Sequence, residues 1–273
     1  MAFLAIFLTT VSAIGAYLLF WRVQVVLDYK RSKPIRHGRR NPHEPTHLMI
    51  VLGSGGHTAE MIAMLERAVN DTDPIKRLDW RDYNHRSWVV SAGDSISAQR
   101  AKDFEEMAQG LTNQDSLMVG RVKRATDIGP GTYEIHTVPR AREIHQPLST
   151  APISSLKCLL ACYKLLKSQM RGQPTHDYMK PWKGERDYPD IILCNGPATG
   201  TVMVAAAIIL RFFNVDYCGT RGRMRTIYVE SWARVKKLSL SGELLERVAD
   251  RLLVQWPQLQ KRGSKAQYMG VLV

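Results

Sequence analysis

The sequence predicts an α/β protein with one parallel sheet, helices on both faces of that sheet, and one transmembrane helix in front of it. Three features predict this class. Residues 1–21 carry no charged side chain, the remainder alternates short apolar runs with longer amphipathic runs, and glycine or asparagine follows several of the apolar runs. Strands that alternate with helices form βαβ units, which make the strands parallel and cover both faces of the sheet.

Residues 1–26 are interpreted as a transmembrane anchor. The uncharged run approaches the ~20 residues that a helix needs to cross a bilayer. Trp21 and Arg22 end the run, as is typical of a membrane interface. Because basic residues prefer the cytosolic side, we expect a lumenal N-terminus and a cytosolic remainder. The alternative is a cleaved signal peptide, which carries its positive charge before the apolar run rather than after it.

The charge of the chain is strongly basic and clustered. The formal net charge is +13. One basic cluster lies between Arg22 and Thr46, and another lies between Arg211 and Lys237. Residues 27–46 contain three prolines and are interpreted as a basic juxtamembrane tether. Such clusters suit anionic lipids or phosphate ligands. Nucleic acid is not expected as a partner, because zinc-finger spacing and an aromatic RNA-binding box are both missing from the sequence. The four cysteines lack paired spacing and are interpreted as reduced core residues.

Residues 47–273 are predicted to form the α/β domain, which begins with three strand–helix units. Each strand is a short apolar run rich in residues that favour strands. Each helix repeats apolar residues at every third or fourth position, as Leu156, Leu159 and Tyr163 do. The predicted strands are 47–52, 87–91 and 132–138, and the predicted helices are 58–69, 95–108 and 154–170.

The second half of the domain continues the same alternation. The predicted strands are 190–194, 226–229 and 251–254, and the predicted helices are 198–213 and 242–249. The uncharged part of helix 198–213 is shorter than the ~20 residues of a bilayer span, so this helix is predicted to be buried in the protein. Residues 113–131 and 171–188 are rich in polar residues, glycine and proline, and are predicted to be surface loops.

A glycine-rich turn follows the first strand. Its residues are Gly53, Ser54, Gly55, Gly56, His57 and Thr58. Glycines let a ligand approach the backbone and the next helix offers unpaired N–H groups, so the turn predicts a phosphate site. It is not the dinucleotide fingerprint, because Thr58 stands where the third glycine belongs, and it is not a P-loop, because no lysine follows the glycines. A tight turn without a ligand is the alternative.

Polar side chains also follow the later strands, at the edge where such sheets bind ligands. Arg140 follows the third strand, and the fork of an arginine suits diphosphate oxygens. Asn195 and Gly196 follow the fourth strand, and Glu230 follows the fifth. His57 is a candidate general base, because histidine exchanges protons near neutral pH. Its alternative role is to hold the turn through a backbone hydrogen bond.

The chain resembles one known family through five segments, which are VLGSGGHTAEM, VPRAREIHQ, PDIILCNGPATG, YVESWARVKKLSLSG and ADRLLVQWPQL. They are similar to the membrane-anchoring, acceptor-side subunit of the UDP-N-acetylglucosamine transferase of the dolichol-linked oligosaccharide pathway, which serves asparagine-linked glycosylation. The resemblance spans residues 47–273. The glycine-rich turn is also similar to the acceptor-side loop of MurG, a bacterial lipid II glycosyltransferase.

The resemblance implies a Rossmann-like half of a GT-B glycosyltransferase that is split over two chains. The other half would be a small cytosolic partner that binds UDP-N-acetylglucosamine (UDP-GlcNAc). The heterodimer would convert GlcNAc-diphosphate-dolichol to GlcNAc₂-diphosphate-dolichol at the endoplasmic reticulum membrane or the nuclear envelope. No cofactor and no metal are implied, and this chain alone is expected to be inactive.

The resemblance also implies residue roles. Either His57 or Glu230 would take the proton of the attacking hydroxyl. The residues expected to bind the acceptor diphosphate are Gly53, Ser54, Gly55, Gly56, Thr58, Arg140, Asn195 and Gly196. The apolar C-terminal tail, with Tyr268, Val271, Leu272 and Val273, is expected to dock on the partner subunit. Packing of this tail into its own domain is the alternative.

Two other functions stay open on the sequence. The first is a membrane-tethered, nucleotide-dependent enzyme that acts alone, for which Asp94 at the end of the second strand is the favourable feature. The second is a membrane scaffold that recruits the partner and carries no active-site residue.

Overall fold

A computed structural model describes residues 2–27, 46–73, 76–83, 85–118, 131–143, 146–147, 149–169, 188–218, 222–260 and 263–273. The helices are α1 (Ala2–Leu27), α2 (Gly56–Val69), α3 (Ser95–Met118), α4 (Ala151–Gln169), α5 (Thr199–Phe212) and α6 (Leu240–Val248). The strands are β1 (His47–Val51), β2 (His85–Ser91), β3 (Thr132–Val138), β4 (Ile191–Asn195), β5 (Arg225–Val229), β6 (Arg251–Val254) and β7 (Ala266–Tyr268).

The strands form one seven-stranded sheet in the order β3-β2-β1-β4-β5-β6-β7. Every pairing in it is parallel. The strand order reverses between β1 and β4, because the chain builds outward from β1 to β3 on one side and from β4 to β7 on the other. Ligands of such sheets bind beyond the carboxyl ends of the strands at this reversal. The predicted fold class is confirmed, and the turns after β1 and β4 lie side by side.

An apolar core lies on each face of the sheet. Met49 and Val51 of β1 belong to the core beneath α4, α5 and α6, while Leu48 and Ile50 belong to the core beneath α2 and α3. Because successive residues of a strand point to opposite faces, β1 is buried along its whole length. This explains why the sequence of β1 is continuously apolar after His47 rather than alternating.

Helix α1 precedes the sheet and has the length and composition of a membrane span. Its segment Thr9–Leu27 contains 19 residues and is long enough and apolar enough to cross a bilayer. The side chains from Thr9 to Trp21 are exposed. The helix agrees with the predicted anchor, whereas the tether predicted over residues 27–46 lies almost entirely outside the described residues.

The base of α1 is fastened to the end of α5. Arg22 donates from Nε to the carbonyl of Phe212 at 2.6 Å and from Nη2 to the carbonyl of Arg211 at 2.8 Å. Arg211 in turn donates to the carbonyl of Val26 at 3.1 Å. The last carbonyls of a helix have no partner within the helix, so Arg22 satisfies two of them. These bonds fix α1 relative to the domain.

Several predicted boundaries were wrong. Helix α3 continues to Met118, so the first residues of the loop predicted over 113–131 are helical. Gly110 lies within α3, which tolerates a single glycine at a modest cost. Tyr188, predicted to end a surface loop, is fully buried and donates to Asp216 Oδ2 at 3.1 Å. Strand β7 was not predicted, because three residues carry too little periodicity to reveal a strand.

Candidate functional site

The side chain of His57 lies in a slot formed by two glycines at the strand reversal. A Cβ atom on Gly53 would lie 2.6 Å from His57 Cβ, and one on Gly196 would lie 3.1 Å from both Cβ and Cγ of His57. Gly196 also has a φ of +82°, which favours glycine. Both positions therefore require glycine for the histidine to occupy this slot.

Asn195, the last residue of β4, holds the backbone of the same turn. It is 2% exposed and donates from Nδ2 to the carbonyl of His57 at 2.8 Å. Its Oδ1 atom is buried and has no hydrogen-bond partner among the described residues. Asn195 therefore ties the end of β4 to the start of α2, and sequence reasoning placed it correctly beside the glycine-rich turn.

Two helices begin at this edge without a side-chain cap. Helix α2 begins after Gly55, whose φ is +58°, and α5 begins after Ala198, whose φ is +64°. By contrast, α6 is capped by Ser239, whose Oγ accepts from the N–H of Gly242 at 2.9 Å. Uncapped N-termini present N–H groups and the positive end of the helix dipole, which is the arrangement that binds phosphate. Ser54, which lies before Gly55, is exposed at this edge of the sheet.

The side chain of Thr58 points into the protein. It is 1% exposed, and its hydroxyl donates to the carbonyl of Gly53 and lies 2.7 Å from Ser97 Oγ. Ser97 in turn bonds Asp94, whose carboxylate accepts from the N–H and the hydroxyl of Ser97 at 3.0 and 2.8 Å. Thr58 can thus meet a diphosphate only through its backbone. Asp94 is engaged in capping α3, which removes the feature that favoured a nucleotide-dependent enzyme acting alone.

Glu60 adjoins His57, and sequence reasoning missed it. Its Oε2 atom lies 3.6 Å from Nδ1 of His57, and its Oε1 accepts from Ser231 Oγ at 2.8 Å. Burial acts to raise the pKa of Glu60, but the contacts with His57 and Ser231 outweigh it and hold the pKa below its ordinary value. The i, i+3 spacing from His57 on a predicted helix was the available signal, because such residues are neighbours on a helix surface.

The carboxylate of Glu230 is buried and fully engaged. It is 1% exposed, its Oε1 accepts from the N–H of Ser231 at 3.2 Å, and its Oε2 accepts from the N–H and the hydroxyl of Ser239 at 3.0 Å. The Cα of Gly242 packs so closely that an added Cβ would collide with Oε2. The geometry suits a residue that holds the start of α6. The catalytic role expected for Glu230 stays a prediction.

Arg140 lies at the same edge of the sheet, just beyond β3. It is half-exposed and donates from Nε to the carbonyl of Ala92 after β2 at 3.0 Å, which directs it toward the centre of the sheet. Arg142 instead binds the carbonyl of Gln146 in its own loop. Strand β3 is two positions from β1, a distance of about 10 Å at the usual strand spacing. Arg140 can thus face the glycine-rich turn across β2.

Comparison with known families identifies the chain. A family model described as "Oligosaccharide biosynthesis protein Alg14 like" matches residues 48–272. The chain belongs to the Alg14 family. A UDP-N-acetylglucosamine transferase subunit alg14 from Aspergillus fumigatus is 38% identical over 231 residues, which cover 72% of this chain and 96% of that protein. The human UDP-N-acetylglucosamine transferase subunit ALG14 is 28% identical over 268 residues, which cover 97% of this chain and 98% of the human protein.

Among solved structures, MurG from Acinetobacter baumannii is similar to this Alg14-family chain. The TM-score is 0.44 at 12% sequence identity. The match covers 83% of this chain and 46% of MurG, so the chain spans about half the length of that enzyme.

The C-terminal tail of this Alg14-family chain lies on the domain through its backbone. Strand β7 pairs with β6, the N–H of Leu272 donates to Gln255 Oε1 at 2.9 Å, and Arg67 donates to the carbonyl of Val271 at 2.9 Å. The side chains of Tyr268 and Val271 are nevertheless 43% and 42% exposed. The domain therefore holds the tail in place while apolar groups of the tail face outward. Its docking on a partner stays a prediction.

Proposed function

We propose that the chain is the membrane-anchoring, acceptor-binding subunit of a two-chain UDP-GlcNAc transferase. The reaction is the transfer of GlcNAc to GlcNAc-diphosphate-dolichol on the cytosolic face of the endoplasmic reticulum, which gives GlcNAc₂-diphosphate-dolichol. The relatives from Aspergillus fumigatus and human are both called UDP-N-acetylglucosamine transferase subunits, which supports a role within a larger transferase. In this proposal the donor nucleotide binds to a small cytosolic partner chain.

The proposal depends on the lip, which is the edge of the sheet formed by the turns after β1 (residues 53–58) and β4 (residues 196–198). The same chain carries an apolar N-terminal helix. The lip combines glycines, two uncapped helix N-termini and the nearby Arg140. This combination suits the diphosphate of a lipid-linked sugar. The lipid of such an acceptor stays in the bilayer, so its diphosphate is reached at the membrane surface. An anchor raises the effective concentration of the lip there without any new contact.

His57 is the better of the two candidate bases. Its side chain is 30% exposed, whereas the carboxylate of Glu230 is buried and already accepts several hydrogen bonds. In the proposed step, the acceptor hydroxyl attacks the anomeric carbon of UDP-GlcNAc and the bond from that carbon to the diphosphate oxygen breaks. UDP leaves with the electron pair, and the proton of the hydroxyl passes to His57. The configuration at the anomeric carbon inverts.

The partner subunit docks on the outward apolar side chains of the C-terminal tail, in the same proposal. Replacing Val271 and Val273 together by serine removes apolar surface and keeps the backbone bonds to Arg67. We expect loss of co-purification with the partner and a normal melting temperature of the chain in detergent. If the tail serves only its own domain, the melting temperature falls and co-purification persists.

A transferase assay tests the whole proposal. The full chain in detergent is mixed with UDP-GlcNAc and a short-lipid GlcNAc-diphosphate acceptor, with and without the partner subunit. We expect turnover only when both chains are present. Full turnover by this chain alone would contradict the division of the enzyme into two halves.

Two arginines of one loop test the acceptor site. Arg140→Ala is expected to raise the acceptor KM about tenfold or more, since a hydrogen bond to a charged group contributes about 1.5–3 kcal/mol. Arg142→Ala is the matched control, because its guanidinium binds the carbonyl of Gln146 in its own loop. An unchanged acceptor KM in Arg140→Ala would exclude that arginine from the site.

A further inference from the structure

Hydrogen bonds run from the turn after β5 to the carboxylate of Glu60, which lies beside the imidazole of His57. Glu230 accepts from the N–H of Ser231, and the hydroxyl of Ser231 donates to Oε1 of Glu60 at 2.8 Å. The other oxygen of Glu60, Oε2, lies 3.6 Å from Nδ1 of His57. Both of these facing atoms are buried, and within the described residues neither has a hydrogen-bond partner. Each is therefore placed to bond the other after a shift of well under 1 Å, since N–H···O bonds are about 2.7–3.2 Å long.

The surroundings of His57 hold its backbone and the root of its side chain in place. Gly53 and Gly196 pack against its Cβ and Cγ, and Asn195 holds its backbone carbonyl. Glu60 is an ionisable side chain that lies beside the ring of His57. Because Nδ1 faces Glu60, Nε2 lies on the opposite side of the ring, away from that carboxylate.

We propose that Glu60 is a positioning residue for His57: its carboxylate holds the proton of the neutral imidazole on Nδ1 and leaves the lone pair on Nε2 for the acceptor hydroxyl. This inference rests on the proposed function, in which His57 is the base. The neutral imidazole has a single N–H proton, and the hydrogen bond made by one ring nitrogen decides which of the two nitrogens carries it. An ionised carboxylate accepts but cannot donate, so it selects the Nδ1–H form.

The carboxylate also acts during the proposed step. When the acceptor hydroxyl attacks the anomeric carbon, its proton moves to Nε2 of His57 and the ring becomes a cation. Glu60 then faces a positive charge, so the charge that forms in the transition state is stabilised by a group already in place. Ser231 fixes Oε1 of Glu60, and Glu230 fixes Ser231 through its N–H. The buried Glu230 therefore supports the site from a distance rather than as the base.

The first test observes the ring directly, without any activity. The full chain, labelled with ¹⁵N histidine, is placed in detergent micelles, and the signals of His57 among the eight histidines are assigned by their loss in His57→Ala. We expect the neutral ring of the wild type to carry its proton on Nδ1, and Glu60→Ala to shift the proton to a mixture of both nitrogens. Glu66→Ala, an exposed position on the same helix, is the control and should leave the signals unchanged. An unchanged His57 spectrum in Glu60→Ala would overturn the proposal.

The second test uses the two-chain transferase. A general base contributes about 10²–10⁴ in rate, and we expect loss of its positioning residue to lower kcat about 10-fold to 100-fold with little change in acceptor KM. In a His57→Ala background, Glu60→Ala should add less than about a twofold loss, because Glu60 acts through His57. A merely structural Glu60 would instead lower the activity of both backgrounds by the same factor, and that result would overturn the proposal.

The two tests separate this inference from the proposed function. Near-normal turnover of His57→Ala would remove the base role from the proposed function, and the ¹⁵N spectra would still decide whether Glu60 orients the ring. If His57→Ala loses turnover but the His57 spectrum is unchanged in Glu60→Ala, the base role of His57 stands and the positioning role of Glu60 alone is refuted.

Discussion

The slot around His57 makes Gly53→Ala the most informative single substitution. The added Cβ would lie 2.6 Å from Cβ of His57 and 3.3 Å from its Cγ. Carbon atoms in contact are about 3.5–4.0 Å apart, so one of the two residues must move by about 1 Å. The atom that is struck is a Cβ attached directly to the backbone of α2, so a rotamer change cannot relieve the collision. The base candidate itself must shift.

The size of the effect follows from that displacement. A misplacement of about 1 Å in a catalytic group costs about 100-fold in rate. Overpacking costs about 1–3 kcal/mol of unfolding free energy, which a domain stable by about 5–15 kcal/mol tolerates. We therefore expect Gly53→Ala to fold, to bind its partner, and to lose about 100-fold in kcat.

Gly55→Ala, in the same turn, is the comparison variant: because Gly55 belongs to the proposed diphosphate site, its loss is expected in acceptor KM rather than in kcat. Gly55 has a φ of +58°, but an added Cβ would meet no atom within 4 Å. The substitution strains the backbone by about 1–2 kcal/mol without touching His57. The assay is kcat and acceptor KM of the two-chain transferase, together with thermal unfolding of the full chain in detergent. Equal losses of kcat in the two variants, or a normal kcat in Gly53→Ala, would refute the reasoning.

Three further predictions concern stability and the anchor. Glu105→Gln removes the negative charge that pairs with the fully buried Arg86, whose Nη2 is 2.7 Å from the carboxylate; it should cost about 3–5 kcal/mol in thermal unfolding. The exposed neighbour, Glu106→Gln, should cost less than about 0.5 kcal/mol, and similar melting temperatures would contradict the prediction. Arg22→Gln removes the guanidinium bonds to the carbonyls of Arg211 and Phe212 and should speed hydrogen exchange at the base of α1, whereas unchanged exchange would show that α1 is held by other contacts. The pKa of Glu60 is lowered from its ordinary value of 4.5, so the ionised carboxylate stabilises the fold at pH values above 4.5. This contribution is lost as the pH falls through the lowered pKa. Below pH 4.5, Glu60→Gln should therefore reduce the fall in the free energy of unfolding that urea denaturation measures. An unaltered dependence on pH would count against the ionised carboxylate.

Much of the fold was accessible from the sequence because its signals are local. The continuous apolar run of β1 indicates a strand buried on both faces, and the sheet confirms it. The order of the strands was not predicted, since the reversal between β1 and β4 depends on which helices cross to which face. Strand β7 escaped prediction because its pairing with β6, rather than its own three residues, makes it a strand.

The sequence predicted which backbone segments meet at the candidate site, but not the direction of every polar side chain there. The glycine-rich turn, Asn195 and Gly196 do converge on His57, because parallel strands bring their carboxyl ends to one edge. The hydroxyl of Thr58 and the carboxylate of Glu230 were expected at this edge and point inward instead. Their direction depends on which buried donors and acceptors need partners, and a sequence does not state that.

The sequence by itself determined the apolar N-terminal helix, the α/β class and the glycine-lined lip, because each depends on residue type and spacing along a short stretch of chain. Only the tertiary structure decided which polar groups face the lip. Glu60 meets Ser231 across 171 positions of the chain, a contact that exists only after β1 and β5 have joined one sheet. Most buried polar atoms are hydrogen-bonded in a native structure, and the fold alone selects their partners.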